Sequence, residues 1–236
     1  MFRLLYLAIY LISNLLILLP ALGKAKRLQA QDRGEESYDF IFNMSYRLGS
    51  GLVKRSGSTV QVLGTDKVPQ GPVLFVSNHQ SNFDIPLMMG TINKPKSFIS
   101  KMELENLPLI SPWMKLGKCV FIDRDNARQS LKAINEGIEI LKSGHSMVIF
   151  PEGTRSKGSE MLEFKRGSLR LATKAGVPIV PVTISGSYKM LEENGGKVRP
   201  AHVKITISDP IYTNNLTKEE ENGLSDKVYG IIKNNL

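Results

Sequence analysis

From residue 58 onward, short β-rich runs alternate with helical stretches, a pattern that restricts the chain to a largely parallel sheet covered by helices on both faces. The strand candidates are STVQVLG (58–64), PVLFVSN (72–78), SFIS (97–100), CVFIDR (119–124), SMVIF (146–150), PIVPVTIS (178–185) and VKITIS (203–208). Between them, ARQSLKAINEGIEILKSG sets Leu131, Ile134, Ile138 and Leu141 at helical spacing and ends at Gly144. GSLRLATKAG reads as a shorter helix stopped by Gly176 and Pro178, and Thr217 with Glu220 three residues later marks the start of a C-terminal helix. Ligands of such sheets bind beyond the carboxyl ends of the strands. NHQSNFD, DRDN and PEGTRS each follow a strand candidate, so three chemically rich loops are expected on one edge.

The N-terminus is of another kind. Phe2 to Leu22 is almost unbroken apolar sequence, close to the length that crosses a hydrocarbon core. Ser13 and Asn14 at mid-depth and Pro20 near the end weaken that reading. A signal peptide fits poorly, because no clean small-x-small cleavage site follows. Lys24, Lys26 and Arg27 would hold the following residues on the cytoplasmic side. A second, aromatic-rich segment, ESYDFIFNMSYRLGSGLVKRSG, then suggests a helical hairpin embedded in one leaflet. The alternative is a first helix that spans and a second that packs on the globular part. The expected organisation is therefore N-terminal membrane-anchoring helices over residues 1–57 and an α/β domain over 58–236.

The formal net charge of +9 favours anionic partners: nucleic acid, phosphorylated metabolites or an anionic bilayer face. Nucleic acid has the charge but not the pattern, since no aromatic strand motif or reading helix stands out. A single cysteine, Cys119, excludes an intramolecular disulfide framework. No G-x-S-x-G elbow, Walker loop or dinucleotide fingerprint is present.

Within the first loop, His79 and Asp84 have the makings of a general base and its orienting carboxylate. On a regular helix, residues five apart lie roughly 140° apart and cannot meet. They can meet if His79 sits in the strand-to-helix loop and Asp84 in the first helical turn. Ser81 as N-cap with Asp84 three residues later would supply that start, and would also make Asp84 an ordinary capping acid. His145 and His202 lie in unrelated contexts, and one His with one Asp is too few ligands for a metal. Glu152, Gly153, Thr154, Arg155 and Lys157 form a loop able to offer backbone N–H groups and cations to a phosphate, with Arg124 and Lys101 at neighbouring strand ends. The loop could instead be a turn in which Glu152 and Arg155 pair with each other or with solvent, and Arg124 and Lys101 could be surface charges.

In this order the loops resemble those of the glycerolipid acyltransferase family, most closely its bacterial 1-acyl-sn-glycerol-3-phosphate acyltransferases. The four blocks are NHQSNFD with its H-x4-D spacing, GKCVFIDR, FPEGTRS and VPIVPV, within roughly residues 70–185. The resemblance implies that His79 deprotonates the sn-2 hydroxyl of lysophosphatidic acid and Asp84 orients the imidazole. It further implies that Arg124, Glu152, Gly153, Thr154 and Arg155, with Lys101 less sharply defined, bind the glycerol phosphate. The implied co-substrate is an acyl thioester, acyl-CoA or acyl carrier protein, with no cofactor and no metal. The implied place is the cytoplasmic face of the inner membrane, where membrane lipid surrounds substrate and product. Another acyl acceptor, or a non-catalytic anionic-lipid-binding protein, is the rival reading.

Overall fold

The computed structural model describes residues 2–165 and 167–236; Met1 and Arg166 lie outside the described residues. Three helices come first: α1 (Phe2–Ile17), α2 (Leu19–Ala30) and α3 (Gly34–Ser56). The remainder runs β1 (Thr59–Leu63), β2 (Leu74–Ser77), α4 (Asp84–Thr91), β3 (Lys96–Lys101), α5 (Ser111–Leu116), β4 (Val120–Ile122), α6 (Ala127–Lys142), β5 (Ser146–Ile149), α7 (Arg170–Ala175), β6 (Ile179–Ser185), β7 (His202–Ile207) and α8 (Lys218–Lys233). All seven strand candidates form strands. The sheet order is β1-β7-β6-β2-β5-β3-β4. Strands β6, β2, β5, β3 and β4 run parallel, while β7 lies antiparallel to β6 and β1 follows β7.

The inner strands are buried on both faces, as near-continuous apolar runs require. Alternation sorts their side chains. Val73, Phe75, Val148, Val180 and Val182 join one core with Leu87 and Met88 of α4 and Val53 of α3. Leu74, Val76, Met147, Ile149 and Ile179 join the other with Leu141 of α6, Leu171 of α7 and Val228 and Ile232 of α8. Burying a side chain such as Phe75 contributes about 1.5–3 kcal/mol. Local signals agree with this layering. Asn126 Oδ1 accepts from Gln129 N (3.1 Å) at the start of α6, Gly176 ends α7 at φ +70°, and the Thr217/Glu220 capping box forms at α8.

The N-terminal apolar run departs from one straight helix. Pro20 has no N–H and its ring crowds the preceding turn, so the chain breaks at Leu18 and α1 and α2 meet at 48°. Among the described residues no single helix is long and apolar enough to cross a membrane, although the bent pair together is. The mid-helix polar groups are satisfied internally: Ser13 Oγ and Asn14 Nδ2 both donate to Tyr10 O, at 3.1 and 2.8 Å. α1 runs antiparallel along α3, with Arg3 against Gly57 and the Tyr10 hydroxyl filling the space a side chain at Gly51 would take.

α3 in turn positions α4. The two helices cross at Gly49 and Gly90, and Ser50 Oγ donates to Gly90 O at 2.7 Å. A Cβ at Gly90 would lie 2.2 Å from Ser50 N, and one at Gly49 2.7 Å from Met89 Cβ. This crossing seats the helix whose first residue is Asp84. Gly90→Ala is accordingly expected to lower the thermal unfolding midpoint by about 5–10 °C, the overpacking amounting to about 2–3 kcal/mol. Gly23→Ala, which meets open space on α2, serves as the control and leaves the midpoint unchanged or raised.

Candidate active site

The chain leaves β2 at Ser77, and Asn78 makes the exit possible. Its buried side chain mimics a strand residue: Nδ2 donates to Ile184 O and Oδ1 accepts from Ile184 N, both at 2.8 Å. β6 thus keeps a partner while the backbone turns away at His79. The backbone of His79 is then held by the loop after β5, through His79 N to Glu152 Oε1 (2.6 Å) and Ser156 N to His79 O (2.8 Å).

The imidazole stacks on Phe150, with ring centroids 4.3 Å apart and planes 24° apart. Its Nδ1 lies 2.7 Å from Asp84 Oδ2. Nε2 makes no hydrogen bond among the described residues, and the side chain keeps 14% of its surface exposed. Donation from Nδ1 to the carboxylate leaves the Nε2 lone pair available to take a proton.

Asp84 is fully buried, so its carboxylate requires donors on every side. Oδ2 accepts from His79 Nδ1, Gln80 N (2.7 Å) and Ser81 N (2.8 Å), and Oδ1 accepts from Ser187 Oγ at 2.5 Å. α4 begins at Asp84 itself, two residues beyond the start that a Ser81 cap implies. Ser81 Oγ instead accepts from Phe83 N (3.1 Å) in a turn preceding the helix. Orienting the histidine and organising the helix start are therefore two tasks of one carboxylate, which bridges the five-residue gap because the chain between is a turn.

Glu152 turns its carboxylate toward the backbone of two loops. It is buried, and its two oxygens accept from His79 N and from Leu162 N (2.9 Å). Burial pushes its carboxyl above the ordinary range, against the opposing pull of the Leu162 and His79 N–H groups. Gly153 turns at φ +74°, and Thr154 is exposed with no side-chain hydrogen bond among the described residues.

The cations fall in two groups flanking His79. On the β3 and β4 side, the exposed Lys101 pairs with Glu103, and Arg124 donates to Gly153 O. On the β6 side, Arg155 Nη1 donates to Glu192 Oε1 at 2.9 Å. The sequence reading missed Phe150, Asn78 and Gln80 as supports, and Ser187 and Glu192 altogether. Gln80 Oε1 accepts from Gly186 N at 3.0 Å, which ties the first loop to the segment after β6. That segment follows a parallel strand, so the strand-end rule pointed to it as it did to the other loops. Among the described residues no three His, Cys, Asp or Glu side chains are grouped to hold a metal ion. His145 contacts Glu35 and Lys118 instead, and His202 contacts Thr59.

Because the Glu152 carboxyl titrates higher when folded, its contribution to stability is fullest below the ordinary carboxylate value. That contribution declines as pH rises through the folded value. Glu152→Gln is expected to flatten that decline in melting curves taken from pH 4 to 7. It should also lower kcat/KM about 10- to 100-fold, because one backbone N–H then faces an amide NH2 instead of an oxygen.

The Acyltransferase family model matches residues 59–185. A probable 1-acyl-sn-glycerol-3-phosphate acyltransferase of Mycoplasma pneumoniae is 32% identical over 96% of this chain and 89% of its own length. The 1-acyl-sn-glycerol-3-phosphate acyltransferase of Saccharomyces cerevisiae is 34% identical over 73% of this chain and 58% of its own. The crystal structure of the 1-acyl-sn-glycerophosphate acyltransferase PlsC from Thermotoga maritima superposes with a TM-score of 0.81 at 29% identity, over 98% of this chain and 93% of that one. With a family match over more than half its length and relatives above 30% identity, this chain belongs to the acyltransferase family.

Proposed function

We propose that the protein transfers an acyl chain from a thioester, acyl-CoA or acyl carrier protein, to the sn-2 hydroxyl of 1-acyl-sn-glycerol 3-phosphate, forming phosphatidic acid. The observation that carries the reading is the His79–Asp84 pair: a tethered imidazole with an open Nε2, on a sheet edge that also bears three cations. The names of the relatives supply the acceptor.

An alcohol is a weak nucleophile until a positioned base shares its proton, whereas a thioester carbonyl is already activated. Nε2 takes the hydroxyl proton as the oxygen attacks the carbonyl carbon. Asp84 holds the tautomer and stabilises the imidazolium. The tetrahedral oxyanion then collapses, the C–S bond breaks, and the departing sulfur takes the proton from Nε2. No covalent enzyme intermediate and no cofactor enter this scheme. Arg124, Arg155 and Lys101 act on the acceptor phosphate, with Thr154 and the Gly153 turn completing the cradle. Glu152 serves this scheme as a brace between the two loops and not as a ligand.

Membrane attachment follows from α1. Phe2, Leu5, Ile9, Ile12 and Leu16 recur at helical spacing and are all exposed, up to 86% at Phe2, while Leu7 and Leu15 face inward. Sixteen residues span about 24 Å, short of a hydrocarbon core of about 30 Å. We therefore place α1 along one leaflet, at the cytoplasmic face of the inner membrane, with Lys24, Lys26 and Arg27 toward anionic headgroups. Residues 1–57 then form the anchoring unit and 58–236 the acyltransferase unit. The N-terminal end of α1 lies against Gly57, beside the sheet edge that carries the loops. An acceptor can thus leave its acyl chain in lipid while its headgroup reaches His79.

Purified protein incubated with lysophosphatidate and each thioester donor should release free thiol. His79→Ala should lower that rate by at least about 10³-fold while binding to lysophosphatidate-containing vesicles persists. Thiol release undiminished by the substitution would refute the base assignment. Replacing Ile9 and Ile12 together by Glu should move the protein from sedimenting vesicles to the supernatant, with its fold unchanged by circular dichroism.

A further inference from the structure

Arg155 is placed by a residue outside both the matched family segment and the four sequence blocks. Glu192 opens the 3-10 turn Glu192–Asn194 that follows β6, and its side chain is only 6% exposed. One oxygen, Oε1, accepts from two donors on two different loops: Arg155 Nη1 at 2.9 Å and Asn82 N at 3.0 Å. The other oxygen, Oε2, is buried and without a hydrogen bond among the described residues. A carboxylate in that setting is held at a price in desolvation, since half of its acceptor capacity goes unused. Its position therefore calls for a function other than stability.

We propose that Glu192 is a positioning residue for the acceptor phosphate, fixing the Arg155 guanidinium against the loop that bears His79; this rests on the reading of Arg155 as a phosphate ligand. A guanidinium has five N–H donors in a rigid plane, and the bond to Glu192 engages one of them. The single tether fixes the position of one end of the fork and leaves the remaining donors for an anion. Through Asn82 N the same oxygen ties that end to the turn between His79 and Asp84. The base and the phosphate anchor are thereby referenced to one atom, which fixes the spacing between the reacting hydroxyl and the phosphate. Such preorganisation acts on acceptor binding and leaves the thioester step and the donor untouched.

The test is a double-mutant cycle with initial rates measured in lysophosphatidate mixed micelles. Glu192→Ala should raise the KM for lysophosphatidate about tenfold, with kcat and the donor KM changed less than about threefold. In an Arg155→Ala background the same substitution should change the acceptor KM less than about twofold, because the group it positions is gone. Glu192→Gln, which keeps an acceptor oxygen for Asn82 N and Arg155, should recover most of the loss. Additive effects of the two alanine substitutions would overturn the inference, as would equal losses in kcat and both KM values. Failure of the glutamine variant to recover would count the same way. Should Arg155→Ala alone leave the acceptor KM unchanged, the phosphate reading fails first; should it raise KM while Glu192→Ala does not, only the role of Glu192 fails.

Discussion

A single buried carboxylate organises the candidate active site. Asp84 lies at zero exposure and receives a ring N–H, two backbone N–H groups and a hydroxyl. The three N–H donors are available only because the chain after β2 turns back on itself within five residues, so the turn, the start of α4 and the orientation of His79 form one cooperative unit, which Ser187 closes from the segment after β6. Removing any donor exposes a buried anion to an unsatisfied environment, which is why such networks are worth more together than in pairs. The imidazole inherits its geometry from this unit. Phe150 adds only the flat wall that fixes the rotation of the ring.

Everything else positions that unit from outside. Glu152 anchors the backbone of His79 from β5, Asn78 and Gln80 anchor it from β6, and α3 holds α4 through a crossing too tight for any Cβ at Gly90. The cations are less constrained. Lys101 and Arg124 lie on exposed strand ends with one partner each, whereas Arg155 is tethered to a nearly buried acid. Of the three, Arg155 is therefore the one whose guanidinium is fixed by a buried partner.

Much of this was legible in the sequence, and the physical reason is periodicity. Seven strands were readable because buried parallel strands are short apolar runs bounded by turn residues, and α6 and α8 because their caps and apolar spacing are local. The pairing of His79 with Asp84 was legible once both were seen to flank a strand-to-helix turn. The role of Glu152 was not. A carboxylate in a phosphate loop reads as part of the ligand set, and only tertiary contact shows its oxygens turned to the backbone amides of residues 79 and 162. Ser187 and Glu192 escaped because their partners lie 103 and 37 residues away, a distance over which no spacing rule operates. The break at Leu18 was foreshadowed by Pro20, but its angle of 48° was not.

The reversed pair at one margin of the sheet carries an implication for orientation. β7 runs against β6, and β1 copies β7, so Thr59 begins beside the place where β6 ends. Had β1 followed the majority direction, α3 would have delivered the chain to the far rim and the greasy flank of α1 would have begun there too. Strand polarity thus determines which rim of the sheet receives the exposed apolar flank of α1, and a topological choice made at the margin of the sheet brings that flank to the rim that carries the loops.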